Sequence, residues 1–434
     1  MLLLLLSACT SSSGESAPEQ GPCQKATRAP SGQNLLMISI DTLRRSALGR
    51  YGAAGNSPYL DELAERSLVM DRHQSCSAWT YPSVLCALTG QLPYSLGFMP
   101  VPTSTEDQPP LPEGTPTLAG LLVEAGYQTS LVTTSMWLSS TTGLDAGYQT
   151  EARAFNRNAA QIRAEAEGVM AELSPTRPWL LHVHFRDPHG PYEAPESYLK
   201  ALEGRPELRW DLSTTEGEHA YHLERGSESE ATRREGDTQM LLRYLAEVRY
   251  LDDELAAMMA TFEAQGRLDD TLVVLWSDHG EQFWEHEEFQ HNNSLHTEEN
   301  DAIFLISGPD VKAEAWTQST SGVDILPTLL QHLGQPIPDG LPGCPVGKAK
   351  EDRPQFAVRQ SDDAITQAVT VGSQKLIYAW SGSFSRYDRE VDPEERVDLY
   401  QAGGEEEAAL WPLLKPEVAA LQAVIPEETP QGLP

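Results

Sequence analysis

Short hydrophobic runs alternate along the chain with longer segments in which hydrophobic residues recur every three or four positions. Five runs have the length and composition of strands buried on both faces of a sheet, namely 35–40, 127–134, 179–185, 271–276 and 302–306. Helical periodicity is strongest in three segments, which open at Ser57, at Thr117 and at Met240. Strands that alternate with helices predict an α/β fold with a mostly parallel central sheet flanked by helices.

The pattern divides the chain into a main domain at 34–335 and a C-terminal subdomain at 336–434. A helix predicted for 321–333 closes the main domain, and strand-like pieces at 364–371 and 375–380 follow it. These pieces indicate a small α+β subdomain with antiparallel strands and an acidic tail. Within the main domain, residues 193–237 lose the periodicity and carry 12 acidic and 6 basic residues, which predicts a surface insertion.

The first nine residues contain five consecutive leucines and end in Leu6-Ser7-Ala8-Cys9. Five apolar residues cannot span a bilayer, which needs about 20. The tetrapeptide resembles the lipobox of bacterial lipoproteins, where the cysteine is acylated, and residues 10–33 form a polar Pro/Gly/Ser-rich tether. We therefore expect a lipid anchor at Cys9 that holds the protein to a bacterial membrane in the cell envelope. The alternative is that these residues are only a frayed terminus. A signal peptide opens with basic residues, and their absence before the leucines would fit a start codon further upstream.

The charge of the chain excludes two kinds of partner. The formal net charge is −33, whereas nucleic acids and anionic lipid surfaces are bound through an excess of Lys and Arg. We expect no nucleic-acid partner, and contact with the membrane only through the lipid anchor.

The other four cysteines leave their pairing open. Cys23, Cys76, Cys86 and Cys344 contain no CxxC pair, so a zinc knuckle is not indicated. Outside the cytoplasm such cysteines can form disulfides.

Ionisable residues follow several of the predicted strands. Asp41 ends the first strand, Asp278 and His279 follow the strand at 271–276, and His189 lies just beyond the strand at 179–185. In α/β sheets ligands bind beyond the carboxyl ends of the strands. Carboxylate and imidazole ligands suit a divalent metal ion. The alternative interpretation is that each aspartate caps a helix or a turn.

Thr80 lies in the segment Trp79-Thr80-Tyr81-Pro82-Ser83, which opens a predicted helix. A helix N-terminus attracts anions, and a hydroxyl there can attack phosphorus or sulfur when a metal ion lowers its pKa. The simpler interpretation is that Thr80 only caps the helix.

Together these segments resemble the sulfatase family of the alkaline phosphatase superfamily over about residues 33–405. The resemblance is carried by 34–44, 48–61, 79–90, 187–192, 250–253, 268–281, 291–295, 323–329 and 398–400. It implies a metal site formed by Asp41, Thr80, Asp278 and His279. It further implies that Thr80 is the nucleophile and that His189 and His291 contact the substrate anion or its leaving group.

The chain departs from the family pattern at positions that bear on the reaction. Sulfatases carry a Cys or Ser that becomes formylglycine, with an Arg four residues later, whereas this chain has Thr80 and Val84. Thr42 occupies the position at which the family carries the second aspartate of an Asp-Asp pair. For a third metal-binding histidine, His332 is the only candidate. We therefore expect one divalent ion, Zn, Mn or Ca, rather than a two-zinc site.

The resemblance and its departures together predict a hydrolase or transferase of phosphoryl esters that acts through a threonine nucleophile. The substrate would be a small molecule, a glycan or a lipid-headgroup ester. Two alternatives stay open: a sulfuric ester hydrolase that works without formylglycine, and a catalytically silent, sulfatase-like lipoprotein that binds anions.

Overall fold

The computed structural model describes residues 32–97, 110–153, 158–348, 353–361 and 364–424. The predicted lipobox with Cys9, nearly all of the tether and the end of the acidic tail lie outside the described residues. No helix within the described ranges has both the length and the apolar character that crossing a bilayer requires.

The described residues form sixteen strands. They are β1 (Asn34–Ile40), β2 (Leu68–Met70), β3 (His73–Gln74), β4 (Gln128–Thr133), β5 (Thr150–Arg153), β6 (Trp179–Phe185), β7 (Thr271–Ser277), β8 (Gln282–Phe283), β9 (Phe289–Gln290), β10 (Phe304–Ser307), β11 (Glu314–Trp316), β12 (Thr320–Ser321), β13 (Gln355–Ser361), β14 (Ala364–Val371), β15 (Gln374–Ala379) and β16 (Phe384–Asp388).

Nine α-helices lie among these strands in the described ranges. They are α1 (Pro58–Glu65), α2 (Thr80–Thr89), α3 (Leu118–Glu124), α4 (Ala159–Glu172), α5 (Thr215–Arg225), α6 (Glu230–Ala264), α7 (Thr297–Asn300), α8 (Ile325–His332) and α9 (Glu405–Gln422).

Eight strands form one central sheet in the order β11-β2-β10-β7-β1-β6-β4-β5. Five of its seven neighbouring pairs are parallel, and only β10 runs antiparallel to its two neighbours. The predicted α/β fold with a mostly parallel sheet is confirmed.

The central sheet is covered by helices on both faces. Alternate residues of β1 pack on opposite sides: Leu36, Ile38 and Ile40 join one hydrophobic cluster, while Leu35 and Met37 join the other. The first cluster includes buried residues of α1, α4 and α6, and the second those of α2, α3 and α8. This double burial is why the strands appear in the sequence as continuous apolar runs.

The segment 193–237 is more ordered and more buried than its charge pattern predicted. It contains a short 3-10 helix at Glu196–Leu202, the whole of α5 and the start of α6. The buried face of α5 consists of Gly217, Glu218 and Tyr221, which are not aliphatic residues. Because aliphatic periodicity is absent, the sequence pattern did not indicate this helix.

The C-terminal sheet, β13-β14-β15-β16, is antiparallel throughout, as predicted. A buried ion pair joins it to the main domain: Arg389, which follows β16, pairs with Asp301 at the end of α7. Within the subdomain, Lys375 of β15 lies 3.0 Å from Glu395. Lys375 also donates to the backbone oxygen of Leu295 in the main domain.

Candidate active site

Two neighbouring parallel strands place the aspartates that follow them side by side. In the register of β1 with β7, Ile40 lies opposite Ser277, so Asp41 and Asp278 leave the sheet together. The backbone N–H of Asp278 donates to the oxygen of Ile40 at 3.2 Å. One ligand atom each of Asp41, Asp278 and His279 lies within 4.8 Å of the others, and all three residues are buried.

A left-handed backbone at Thr42 orients Asp278. Thr42 has φ 55°, a conformation that a β-branched residue rarely adopts, and its N–H donates to Asp278 Oδ1 at 3.2 Å. The N–H of His279 donates to the same oxygen at 2.8 Å. The other oxygen, Oδ2, is buried and has no hydrogen-bond partner among the described residues. Asp278 therefore presents one bare carboxylate oxygen to the centre of the site.

The imidazole of His279 presents its Nε2 to the same centre. Its Nδ1 lies 2.9 Å from the backbone oxygen of Gly280, to which it donates, so Nε2 carries the lone pair. Nε2 lies 3.6 Å from Asp41 Oδ1 and 3.6 Å from Asp278 Oδ2. Burial, together with the nearby His291, lowers the pKa of His279 to about 3. The ring is therefore neutral, as a metal ligand must be.

The carboxyl groups carry charge that burial disfavours. Burial raises the pKa of Asp278 well above its usual value, and the neighbouring Asp41 raises it further. Burial acts in the same direction on Asp41, but the four surrounding histidines, of which His291 is a cation, outweigh it, so the pKa of Asp41 is lowered. A bare buried oxygen, two adjacent carboxylates and a neutral imidazole nitrogen fit a divalent cation, which would supply the missing positive charge.

Thr80 is the first residue of α2 and points its hydroxyl at this centre. Thr80 Oγ1 lies 3.4 Å from Asp41 Oδ1 and 3.5 Å from His279 Nε2. The N-cap position belongs to Trp79, which makes no capping hydrogen bond with its side chain. The interpretation of Thr80 as a simple helix cap is therefore wrong, and its hydroxyl remains available for chemistry.

His291 reaches the site from the hairpin formed by β8 and β9. Its Nδ1 lies 2.8 Å from Glu281 Oε1, while Glu281 Oε2 accepts a 3.1 Å hydrogen bond from the Tyr192 hydroxyl. Burial alone would lower the pKa of His291, but the charge of Glu281 outweighs it and raises the pKa to about 9. His291 is therefore a cation at neutral pH, and its ring centre lies 4.7 Å from that of His279.

His189 stands opposite His291, with 5.0 Å between the ring centres. Its Nδ1 lies 2.8 Å from the backbone oxygen of Gly190, to which it donates, so Nε2 carries a lone pair. The guanidinium of Arg186 donates to the same oxygen. Burial lowers the pKa of His189, so this imidazole is neutral beside the cationic His291.

The fold thus brings six residues that the sequence singled out into one cluster: Asp41, Thr80, His189, Asp278, His279 and His291. His332 lies elsewhere, in the last turn of α8. Within the described ranges, the set Asp41, Asp278 and His279 is the only group of three that could hold a metal ion.

Sequence reasoning missed four buried residues that support this cluster: Ser39, His182, His184 and Glu281. Ser39 Oγ lies 2.8 Å from a ring nitrogen of each histidine. One signal was present in the sequence, since His182 and His184 occupy alternate positions of an otherwise apolar strand. Alternate positions lie on one face of a strand, and on this face His184 lies 4.0 Å from the Asp41 carboxylate.

Comparison with known proteins places these residues in a family context. The family model described as Sulfatase matches residues 33–335. A choline-sulfatase of Rhizobium meliloti is 26% identical over 238 residues, which cover 51% of this chain and 46% of that protein. The chain spans about half the length of the first curated relatives that it matches.

Two solved structures share the fold. A protein in complex with its substrate D-glucosamine-2-N,6-O-disulfate superposes with a TM-score of 0.74 at 17% identity, over 92% of this chain and 99% of that one. The phosphonate monoester hydrolase of Agrobacterium radiobacter superposes with a TM-score of 0.69 at 20% identity, over 90% of this chain and 95% of that one.

Proposed function

The chain belongs to the sulfatase family, and from this premise we propose that it is a metal-dependent hydrolase or transferase of phosphoric esters with Thr80 as its nucleophile. The position of the Thr80 hydroxyl carries the proposal. It lies 3.4 Å from Asp41 and 3.5 Å from His279, at the start of a helix and free of any capping role.

Asp41, Asp278 and His279 would hold one divalent ion, with the Thr80 hydroxyl beside it. When bound, the ion supplies charge neutralisation and lowers the pKa of that hydroxyl. The imidazole suits zinc, whereas the two carboxylates suit manganese or calcium, so the donor set leaves all three ions as candidates.

In the proposed reaction, Thr80 Oγ attacks the phosphorus atom and forms a phosphothreonine while the bond from phosphorus to the leaving-group oxygen breaks. The Thr80 hydroxyl, which donates to Asp41 Oδ1, loses its proton to water before the attack, so an alkoxide lone pair attacks phosphorus. The N-terminus of α2 stabilises negative charge on the Thr80 oxygen. Water or an acceptor hydroxyl then releases the phosphoryl group.

The two facing histidines would divide the proton transfers. His291 holds one proton on Nδ1 toward Glu281, so its Nε2–H can donate to a phosphoryl oxygen or to the leaving group. Neutral His189 donates from Nδ1 to Gly190, so its Nε2 can take the proton of the incoming water or acceptor. This division follows from the opposite charge states of the two rings.

A phosphoryl substrate is preferred over a sulfuryl one because threonine cannot become the formylglycine that sulfatases use. Val84, in the position of the family's arginine, is buried in the hydrophobic core. The second candidate, a sulfuric ester hydrolase acting through Thr80 itself, is supported by the name of the choline-sulfatase relative. The sulfated glucosamine bound by one structural neighbour supports a small molecule or a glycan as the substrate.

One panel of assays separates these candidates. Aryl phosphodiester, phosphomonoester, phosphonate monoester and sulfate are offered to the wild type, to Thr80→Ala and to Thr89→Ala, which removes a hydroxyl at the other end of α2. We expect phosphoryl turnover in the wild type and the Thr89 variant, and none in Thr80→Ala. Acid-quenched wild type should carry a phosphoryl group on the peptide that contains Thr80.

Each of the other outcomes of this panel would contradict one part of the proposal. Turnover of the aryl sulfate alone would replace the phosphoryl proposal with the sulfatase alternative. Full activity of Thr80→Ala would overturn the nucleophile assignment. No turnover of any ester in the presence of zinc, manganese or calcium would favour the silent, anion-binding alternative.

We also propose that the protein works outside the cytoplasm, anchored through an acylated Cys9. The disulfide between Cys76 and Cys86 supports an oxidising compartment. Incorporation of a labelled fatty acid by wild-type cells, and its loss in Cys9→Ser, would support the anchor. Equal incorporation by both would overturn it.

A further inference from the structure

A series of hydrogen-bonded polar side chains leads from the half-buried Tyr148, in a loop at one side of the central sheet, to the buried Asp41. The Tyr148 hydroxyl lies 2.7 Å from His182 Nδ1, and His182 Nε2 lies 2.8 Å from Ser39 Oγ. Ser39 Oγ lies 2.8 Å from His184 Nδ1. His184 Nε2 then faces Asp41 Oδ2 at 4.0 Å and has no hydrogen-bond partner among the described residues.

The sheet register produces this arrangement. Ser39 of β1 lies opposite His184 of β6, and His182 lies two residues earlier on the same face. Ser39, His182 and His184 are all fully buried, although their strands are otherwise apolar. Buried polar groups of this kind destabilise a core unless they are paired, so three of them beside a proposed metal ligand call for a functional explanation.

The serine hydroxyl couples the protonation of the two rings. A hydroxyl has one hydrogen, so between two ring nitrogens it donates to one and accepts from the other. Burial lowers the pKa of His182 to about 3, so this ring is neutral and holds a single proton. Once the hydrogen of Tyr148 is placed, the direction of every following hydrogen bond is determined.

The groups at both ends of this series of hydrogen bonds, Tyr148 and Asp41, favour donation in the direction from Tyr148 toward Asp41. Burial raises the pKa of the Tyr148 phenol and keeps its hydroxyl protonated. His182 Nδ1 is the only acceptor that this hydrogen reaches among the described residues, so Tyr148 donates to it. His182 Nε2–H then donates to Ser39, and Ser39 donates to His184 Nδ1. The His184 proton is therefore on Nε2, which faces Asp41 Oδ2 from 4.0 Å. In the reverse direction a lone pair would face that carboxylate.

We infer that Tyr148, His182, Ser39 and His184 form a positioning relay that directs the His184 Nε2–H toward Asp41 Oδ2 and leaves Oδ1 for Thr80 and the metal ion. The two oxygens of Asp41 do divide in this way: Oδ1 faces Thr80 Oγ1 and His279 Nε2, while Oδ2 faces His184. This inference rests on the proposed function only in taking Asp41 as a metal ligand.

Tyr148→Phe tests the relay with little change of shape, because it removes only the donor that sets the direction. Tyr127→Phe is the matched control, since the Tyr127 hydroxyl donates to the backbone oxygen of Gln33, outside the relay. Zn²⁺ and Mn²⁺ are titrated separately into the metal-free full chain in competition with a chelator. We expect at least tenfold weaker binding in Tyr148→Phe, as loss of groups behind metal ligands causes elsewhere, and wild-type binding in Tyr127→Phe.

A second readout needs neither metal nor activity. Long-range proton–nitrogen spectra of the metal-free chain labelled in histidine report which ring nitrogen carries each proton, and His184→Gln identifies the His184 signals. We expect the His184 proton on Nε2 in the wild type, and a shift toward Nδ1 in Tyr148→Phe. A wild-type proton on Nδ1, or equal metal affinity in the two tyrosine variants, would overturn the relay.

The two proposals fail in distinguishable ways. Full activity of Thr80→Ala would remove the nucleophile assignment but leave the metal titration and the histidine spectra unaffected. If the wild type binds neither ion, the histidine spectra decide the relay without them.

Discussion

The Thr80 hydroxyl lies 3.4 Å from Asp41 Oδ1, although 39 residues separate them along the chain. One residue starts a helix and the other ends a strand, so the contact depends on how α2 packs against the sheet. The Cys76–Cys86 disulfide brackets Thr80 in the sequence, and both cysteines are fully buried. The position of Thr80, the proposed nucleophile, is therefore held from both sides.

Thr80→Ser should retain turnover, whereas Thr80→Ala should lose about 10⁴-fold or more, as removal of a nucleophile does in other covalent hydrolases. Serine keeps the attacking oxygen and loses only a methyl group. Steady-state kinetics on an aryl phosphodiester measure the difference. Equal loss in both variants would indicate that the methyl group, and hence packing, is what matters at this position.

Removal of the Cys76–Cys86 disulfide should lower the free energy of unfolding by about 2–4 kcal/mol. The Cys76→Ala, Cys86→Ala double variant is compared with the wild type in urea, with and without a reductant. We expect turnover to fall as well, because the disulfide holds the segment that carries Thr80. A double variant with wild-type stability and turnover would contradict both expectations.

Asp278→Asn should weaken metal binding at least tenfold and yet stabilise the metal-free protein at neutral pH. Asparagine keeps the oxygen that accepts from Thr42 and His279, but it removes the bare buried oxygen and its charge. Thermal unfolding with a chelator and with added Zn²⁺ or Mn²⁺ measures both effects. In the wild type, an ion at 100 times its Kd should stabilise the fold by about 2.7 kcal/mol. An equal metal-induced rise of the Tm in both proteins would contradict the assignment of Asp278.

The alkaline limb of kcat/KM should lie near pH 9, where His291 loses its proton. The charge of Glu281 raises this pKa against the effect of burial, so activity is present below the pKa and lost as the pH rises through it. Glu281→Gln should move the limb to lower pH. Glu287→Gln, on an exposed residue of the same segment, should leave it in place. An unmoved limb in Glu281→Gln would show that another group titrates there.

Glu247→Gln should stabilise the protein at pH 8 and change little at pH 4. The carboxyls of Asp187 and Glu247 are buried, and burial raises the pKa of both; for Glu247, burial and the nearby Asp187 raise it to about 9, so we expect the pair to hold one proton at neutral pH. A raised pKa means that the folded state binds a proton which the unfolded state releases. Wild-type stability is therefore greatest below about pH 4.5 as far as this group is concerned, and falls as the pH rises toward 9.

The glutamine in this variant keeps both interactions, since its amide can donate to Asp187 and accept from the N–H of Glu193. A gain of roughly 1 kcal/mol or more at pH 8 is expected, because one unit of pKa shift corresponds to about 1.4 kcal/mol. Urea unfolding across this pH range measures it. A difference that does not depend on pH would contradict the shared proton.

The two aspartates and His279 could be predicted as a group because short-range rules apply to them. They follow buried strands directly, and the carboxyl ends of parallel strands meet at one edge of a sheet. The same reasoning missed Glu218, whose carboxylate accepts from the N–H of Tyr192 at 3.1 Å and from the side chain of Gln290, the neighbour of His291, at 3.5 Å. Glu218 lies on a helix with little aliphatic periodicity, so its charge was assigned to the surface.

The amino-acid sequence alone determined the strands of the central sheet and the antiparallel strands of the C-terminal sheet, because strand formation depends on neighbouring residues. It also determined which side chains follow those strands, and these are the side chains of the proposed site. Packing decided that the Thr80 hydroxyl is free rather than a cap, that Glu281 makes His291 a cation, and that Cys76 pairs with Cys86. It also decided that Ser39 bridges two histidines behind Asp41. These features depend on distances between side chains far apart in the chain, and on the loss of water around them, which no periodicity records.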